Sequence, residues 1–227
     1  MSKGSNSQLD NRLSLCADFV RNNAKLADIG TDHAYLPVWL CRIGRCPCAI
    51  AADINPEPLK RGAQTIREAG LCDVVTTRLS NGLEQIRENE ADDIVIAGMG
   101  GELIARIMAD CTFAKDSSKH FILQPMTKSE ELIKWLCKNG YEILEQDCCV
   151  AANKCYTVLL VAYCGEIAEK DESYYYIGKL SPQTNETHLQ FVNNHINRLL
   201  KKAKGDVHFG TLAEKLKELC SENRGKK

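Results

Sequence analysis

The sequence predicts an open α/β sheet that closes in an antiparallel β-hairpin and carries a small α-helical tail. Three observations predict it. Short apolar runs alternate with helical stretches through the first 140 residues. Two longer strand-like runs, 141–150 and 156–163, then follow each other with no helix between them. After Gly165 the apolar residues recur only at helical spacing. A chain of 227 residues, 44% hydrophobic, has room for one substantial α/β domain, placed at 1–164, and an appendage at 165–227.

Taken in order, Leu9, Leu13, Cys16, Ala17 and Val20 fall at helical spacings and predict a helix that covers the sheet. Leu26, Ala27 and Ile29 make a short buried strand with Asp28 near its carboxyl end. Gly30 ends the run where a positive φ or a close backbone approach is easiest, which leaves bare main chain for a ligand. Thr31 and Asp32 are polar turn residues, and a helix resumes over 34–40 with Pro37 tolerated in its first turn. Residues 49–54 form a second buried strand ending in Asp53, and 56–69 a helix stopped by Gly70. A strand over 74–79 leads into Ser80-Asn81-Gly82-Leu83, a tight polar turn expected to open another short helix. Residues 94–99 read as the most buried strand, interrupted by Gly98, Gly100 and Gly101 at its carboxyl end, with a helix over 102–109 behind it. Residues 121–125 are a fifth strand and 129–139 a helix. The count is therefore five β-α units and a hairpin, joined through Ala151-Ala152-Asn153-Lys154.

In the tail, 166–173 is charged. Phe191, Val192, Ile196, Leu199 and Leu200 within 187–204, then Leu212, Leu216 and Leu219, predict two antiparallel helices separated by 205–210 and packed on each other as a small coiled coil.

Ligands of open parallel sheets sit at the carboxyl ends of the strands, so the turns after Asp28 and after Ala97 should face one crevice. Asp53 lies 23 residues after Gly30, the place of an acid that accepts from a ribose diol. A helix N-cap is the plain alternative for Asp53, and a satisfied buried acid for Asp28. Gly30-Thr31-Asp32-His33-Ala34-Tyr35 supplies only the first of the three glycines of a dinucleotide fingerprint, which disfavours a nicotinamide dehydrogenase. Asp28 and Asp32 would repel a pyrophosphate, whereas they suit the ammonium and sulfonium charges of S-adenosylmethionine.

Composition excludes little more. No run approaches the length of a membrane span, and the polar start Met1-Ser2-Lys3-Gly4-Ser5-Asn6 lacks an apolar signal region, so a soluble cytoplasmic protein is expected. The twelve cysteines are spread out and read as reduced thiols. Cys46-Pro47-Cys48 and Cys148-Cys149 lack zinc-site spacing, and no metal is expected. Net charge is −1, with eleven basic against nine acidic residues from Gly165 onward, so nucleic-acid binding requires a local patch rather than a basic average.

Asp28-Ile29-Gly30-Thr31-Asp32-His33-Ala34-Tyr35-Leu36-Pro37, Ala97-Gly98-Met99-Gly100-Gly101 and Leu123-Gln124-Pro125, in that order, resemble the bacterial tRNA (adenine-22-N1)-methyltransferase family. The resemblance runs from about Leu13 to Tyr163 and more loosely into the tail. It implies a Rossmann-like class I methyltransferase sheet whose last strand inserts antiparallel, S-adenosyl-L-methionine as cofactor, and tRNA as partner; a monomer is expected. Carried onto this chain, Gly30 and Thr31 approach the methionine part and Asp28 and Asp32 its charges. Asp53, with Ile54, takes the ribose, Asn81 and Gly82 border the adenine, and His33, Gly98 and Met99 complete the cofactor set. At Asn81 the family commonly has an acid; an amide oxygen also accepts from an amino group.

Enzymes that methylate exocyclic amines carry an Asn/Asp-Pro-Pro-aromatic motif after the fourth strand, and Gly98-Met99-Gly100-Gly101 stands there instead. That fits a ring nitrogen as nucleophile. Adenine N1 has a free lone pair, so alignment and stabilisation of the cation formed on the ring can carry the catalysis. Asp32 is the candidate for that stabilisation, His33 for the amino proton, and Tyr35 for stacking on the flipped base. A histidine bonded only to the turn, and a tyrosine in the core, are the plain alternatives. Phosphate contacts are expected from Arg198, Lys201, Lys202 and Lys204, which form a cluster without acids, and more weakly from Arg12, Arg224, Lys226 and Lys227. A solvated helix face is the alternative. Rival functions are a methyltransferase on another RNA, protein or small-molecule substrate, and a non-catalytic RNA-binding protein that keeps the fold.

Overall fold

In the computed structural model, which describes residues 9–221, the chain runs through α1 (Asn11–Phe19), β1 (Leu26–Ile29), α2 (Tyr35–Arg42), β2 (Ala49–Asp53), α3 (Pro56–Glu68) and β3 (Val75–Leu79). It continues through β4 (Asp93–Gly100), α4 (Gly101–Ala109), β5 (His120–Thr127), α5 (Ser129–Lys138) and the hairpin of β6 (Tyr141–Ala151) and β7 (Lys154–Tyr163). The tail holds α6 (Glu172–Ile177), α7 (Glu186–Lys202) and α8 (Val207–Ser221).

These strands form one sheet in the order β3-β2-β1-β4-β5-β7-β6. β1 pairs parallel with both β2 and β4, so the strand order reverses beside it. That reversal opens a crevice at the carboxyl ends, where Gly30 and Gly98 lie. Every residue of β1 is buried, because helices cover both faces of the sheet. Ile94, Ile96, Ile104 and Leu132 pack on one face with α4 and α5, and Cys16, Ala17, Leu36, Leu40 and Ile66 on the other with α1, α2 and α3. Asp10 caps α1 by accepting from the amides of Arg12 and Leu13 at 3.0 and 2.9 Å.

β7 inserts antiparallel between β5 and β6, as the family resemblance implies. Ala152 and Asn153 both have positive φ, 47° and 58°, the primed two-residue turn that matches strand twist. Among the described residues, the eleven cysteines from Cys16 to Cys164 form no disulfide.

The structure corrects three expectations. The polar turn at Asn81 opens no α-helix: the link from β3 to β4 holds turns and a single 3₁₀ turn, Glu88–Glu90. Only four of the five β-α units therefore carry a helix. In the tail, Gly210 lies inside α8, and the charged stretch hides the six-residue α6, capped by Asp171 through the Ser173 amide at 3.0 Å.

Nor is the tail closed on itself. α7 and α8 run antiparallel, with Gln183 Nε2 donating to the Leu219 carbonyl at 2.6 Å, but their shared core takes in Cys148 and touches Cys155 of the hairpin. His188 Nε2 lies 2.7 Å from Asp147 Oδ1. The Ser181 amide donates to His188 Nδ1 at 3.0 Å, which leaves the ring proton on Nε2 to serve Asp147. The second link is Ser129 Oγ with His195 Nε2, 3.3 Å apart and buried. Burial, reinforced by Arg198 and Lys202 nearby, pushes His195 down to about 3, so this ring docks neutral. Arg224, Lys226 and Lys227 lie outside the described residues.

Candidate active site

The turn after β1 continues the ladder of β2: the amides of Gly30 and Thr31 both donate to the Ala52 carbonyl, at 2.8 and 3.0 Å. Gly30 adopts φ +80°, and a Cβ there would collide with the Met99 terminal methyl. The space expected for a ligand is thus filled at that point by Met99 from the neighbouring strand. Thr31 Oγ1 accepts from the Ala34 amide at 3.1 Å, fixing the bend into α2.

A crevice of about 400 Å³ opens beside this turn, lined by Asp10, Arg12, Asp28, Gly30, Thr31, Asp32, His33, Tyr35, Ala97 and Gly98, among others. Asp28 is 7% exposed at its floor and has no ion-pair partner among the described residues. Burial pushes its carboxyl up to about 6; the Thr31 hydroxyl offsets part of that and the charge of Asp53 adds to it. An acid so placed is poorly compensated, and an arriving cation would repair the deficit. Asp32 is different. It is exposed, paired with the Arg61 guanidinium of α3, and 3.4 Å from His33 Nε2. His33 stacks on Tyr35 with ring centroids 5.0 Å apart and planes within 7°, and both rings remain partly open to solvent. The predicted trio is therefore brought together, and the core-packing alternative for Tyr35 falls.

Asp53 ends β2 with its Oδ1 accepting from the Asn55 amide at 2.7 Å, and its carbonyl takes the Ser80 amide at 2.9 Å. Asn55, not Asp53, is the cap residue of α3. Ile54 beside it is exposed. Asn81 Nδ2 is engaged by Glu84 Oε1 at 2.6 Å, and Asn81 lines a separate cavity of about 290 Å³ with Leu103, Arg106 and Ile107. Gly82 packs against Ile107.

Arg12, one of the weaker phosphate-contact candidates from the sequence, stands inside the crevice. It forms part of the crevice wall, its Nη2 2.7 Å from Asp10 Oδ2, its Nη1 3.3 Å from Gln124 Oε1, and its guanidinium 5.6 Å from the Tyr156 ring centre. Burial tends to raise Asp10, but the Leu13 amide and Arg12 together hold it below the usual carboxylate range. Asp10, Arg61 and Gln124 are site residues that sequence reasoning missed. Asp10 carried the signal of a helix N-cap, and Gln124 that of a polar side chain inside an apolar strand. The Arg61–Asp32 pair spans 29 residues and left none.

A parallel sheet reversed at β1, an antiparallel β7 and an uncompensated acid at the crevice floor define a Rossmann-like methyltransferase. The family described as "Methyltransferase domain" matches residues 9–159. The Bacillus subtilis tRNA (adenine(22)-N(1))-methyltransferase is 35% identical over 167 residues, 74% of this chain and 68% of that protein. The chain belongs to the tRNA (adenine(22)-N(1))-methyltransferase family. The crystal structure of the B. subtilis M1A22 tRNA methyltransferase superposes with a TM-score of 0.84 at 27% identity, over 94% of this chain and 99% of that one. A Streptococcus pneumoniae relative crystallised in complex with S-adenosyl-L-methionine gives 0.84 at 29% identity, over 94% and 100%.

Proposed function

We propose that this protein methylates N1 of adenine 22 in tRNA, and that the crevice beside Gly30 takes S-adenosyl-L-methionine. The buried Asp28 carboxylate, which faces the crevice without a cationic partner, is the observation that carries the cofactor reading. Bound there, S-adenosyl-L-methionine supplies a methyl group that passes to the N1 lone pair as S-adenosylhomocysteine leaves.

The chain's own residues divide the rest of the work. Asp28 favours the positive charge, Thr31 and Gly30 shape the methionine end, and Asp53, with Ile54 beside it, takes the ribose. Asn81 and Gly82 do not line the crevice itself, but their turn is tied to the ribose acid through the Ser80 amide on the Asp53 carbonyl at 2.9 Å, and it borders the adenine beyond the ribose; Gly98 and Met99 close the opposite side. The coplanar His33–Tyr35 pair offers a stacking platform for a base turned out of the tRNA. Asp32 faces the cation formed on the ring, with Arg61 fixing its orientation. His33, held by Asp32, stands where the amino proton of the product is released.

The tail, 165–227, is the unit we assign to tRNA contact. Among the described residues Arg198, Lys201, Lys202 and Lys204 make no ion pair with a carboxylate, unlike Lys215 and Lys217 on α8. No helix of the described residues is long and apolar enough to cross a membrane. We assign the protein to the cytoplasm, where a tRNA substrate is met, and read it as a monomer.

The test combines labelled cofactor with tRNA from a strain lacking the modification, then maps the product by primer extension. N1-methylation blocks Watson–Crick pairing, so a sharp stop at adenine 22 is expected. Label incorporation with a stop elsewhere would move the reading to another RNA position; cofactor binding without transfer would leave an RNA-binding protein that kept the fold.

A further inference from the structure

Gln124 is fully buried in β5, yet it has no part in the roles assigned so far. Its position explains why an amide is needed there. β4 and β5 pair in parallel register with Ala97 opposite Gln124 and Met99 opposite Pro125, so the ladder skips Gly98. Left out of the ladder, the Gly98 amide, at φ +79°, donates to a side chain, Gln124 Oε1, at 3.1 Å. The same oxygen accepts from Arg12 Nη1 at 3.3 Å, and Gln124 Nε2 donates to the Pro125 carbonyl at 3.1 Å. With both ends of the carboxamide satisfied, its orientation is set.

Gly98 and Arg12 both line the crevice, and they come from β4 and from α1. Asp10 neutralises Arg12 through the 2.7 Å pair, so this wall presents hydrogen-bond donors without adding net positive charge. That matters for a reaction that leaves a cation on the base, because an unpaired guanidinium would oppose it.

We propose that Gln124 is the positioning residue of the nucleotide subsite: a single buried carboxamide oxygen fixes the Gly98 bend and aims Arg12 at acceptor atoms of the target nucleotide. The proposal rests on the methyltransferase reading above. Gln124 touches neither substrate nor cofactor; it acts through Arg12 and the Gly98 backbone.

The experiment measures cofactor affinity by calorimetry, and kcat and KM for tRNA, in Gln124→Met, Gln124→Glu, Arg12→Lys and the Gln124→Met/Arg12→Lys double variant. Gln124→Met keeps the side-chain length and removes the acceptor. Because Gly98 also borders the cofactor, it should weaken cofactor binding by less than tenfold, but lower kcat/KM for tRNA at saturating cofactor at least thirtyfold. Gln124→Glu keeps the acceptor oxygen and, when protonated in this fully buried place, gives its O–H to the Pro125 carbonyl, so it should recover most of that loss as pH is lowered. The double variant should be no worse than about twice the poorer single variant, since both changes break the same link. A purely structural Gln124 predicts otherwise: equal losses in cofactor affinity and turnover, no rescue by Glu, and additive effects with Arg12→Lys. Any of those three outcomes overturns the proposal. Should Gln124→Met fail to fold, the rescue variant and Arg12→Lys still decide it, because Arg12→Lys alone must then reproduce the kcat/KM loss. Absence of tRNA methylation in the wild type would instead reject the underlying function.

Discussion

The turn after β1 and the helical tail both stand at the carboxyl end of the sheet, but they are held there by different bonds. The turn is an extension of the main-chain ladder: Gly30 and Thr31 donate to Ala52, and the next strand fills the space under Gly30 with Met99. The tail is held by side chains, through His188 on Asp147, His195 on Ser129, and a shared apolar core with the hairpin. Main-chain geometry tolerates most side-chain changes, whereas a side-chain latch is lost with one substitution. The crevice should therefore lose ligand affinity when mutated and keep its fold, and the tail should lose its docking first.

The largest effect expected concerns Asp28. Its folded value of about 6 stands above the ordinary 3.8, so between those values the folded chain retains a proton that the unfolded chain has released. Stability then falls as pH rises through that window, and the full cost is present above pH 6. Asp28→Asn should stabilise the ligand-free protein by roughly 2–3 kcal/mol at pH 7, with the difference vanishing below pH 4. The same variant should bind S-adenosylmethionine far more weakly. Urea unfolding across pH measures the first and calorimetry the second; unchanged stability at pH 7 would mean that Asp28 has a compensating partner.

Asp53→Ala sharpens the contrast from the same side. Losing a carboxylate that accepts from a diol should cost about 2 kcal/mol of cofactor affinity, roughly thirtyfold, with little effect on tRNA binding. Undiminished cofactor binding by this variant would remove Asp53 from the site. On the tail side, His188→Ala should cost about 1–2 kcal/mol in a denaturation experiment while cofactor affinity stays within twofold. A loss of cofactor affinity comparable to that of Asp53→Ala would show that the two regions are one cooperative unit.

The same division decides what was legible in the sequence. The strands of the crevice half are short apolar runs that end in Asp or Gly, and Asp28, Gly30, Asp32, His33 and Tyr35 are consecutive enough to be read as one turn. The resemblance supplied what spacing could not, the antiparallel insertion of β7 and the identity of the base. The missing helix after Asn81 was illegible because Ser80 Oγ bonds the Gly82 carbonyl and the Gln85 amide, closing a turn where a helix was expected. α6 is too short for a period to show. Arg61 on Asp32 and His188 on Asp147 join residues far apart in the chain, and nothing local in a sequence announces such a pair.

The smallest effect per residue belongs to the basic end of α7. Lys202 lies over the Phe209 ring at 5.2 Å and Arg198 Nε bonds the Asn194 carbonyl at 3.2 Å, so two of the four cations are already partly oriented. Lys201 and Lys204 are exposed. Each contact with a phosphate contributes close to one unit of the salt slope and a modest share of affinity. Changing Lys201, Lys202 and Lys204 together to Ala should therefore weaken tRNA binding about five- to tenfold and flatten the salt dependence by about three units, with S-adenosylmethionine binding untouched. A weaker affinity with an unchanged slope would mean that the tail had shifted on the hairpin, the His188 effect in another form. An unchanged affinity would assign these lysines to solvent and send the search for the RNA surface back to the crevice wall at Arg12.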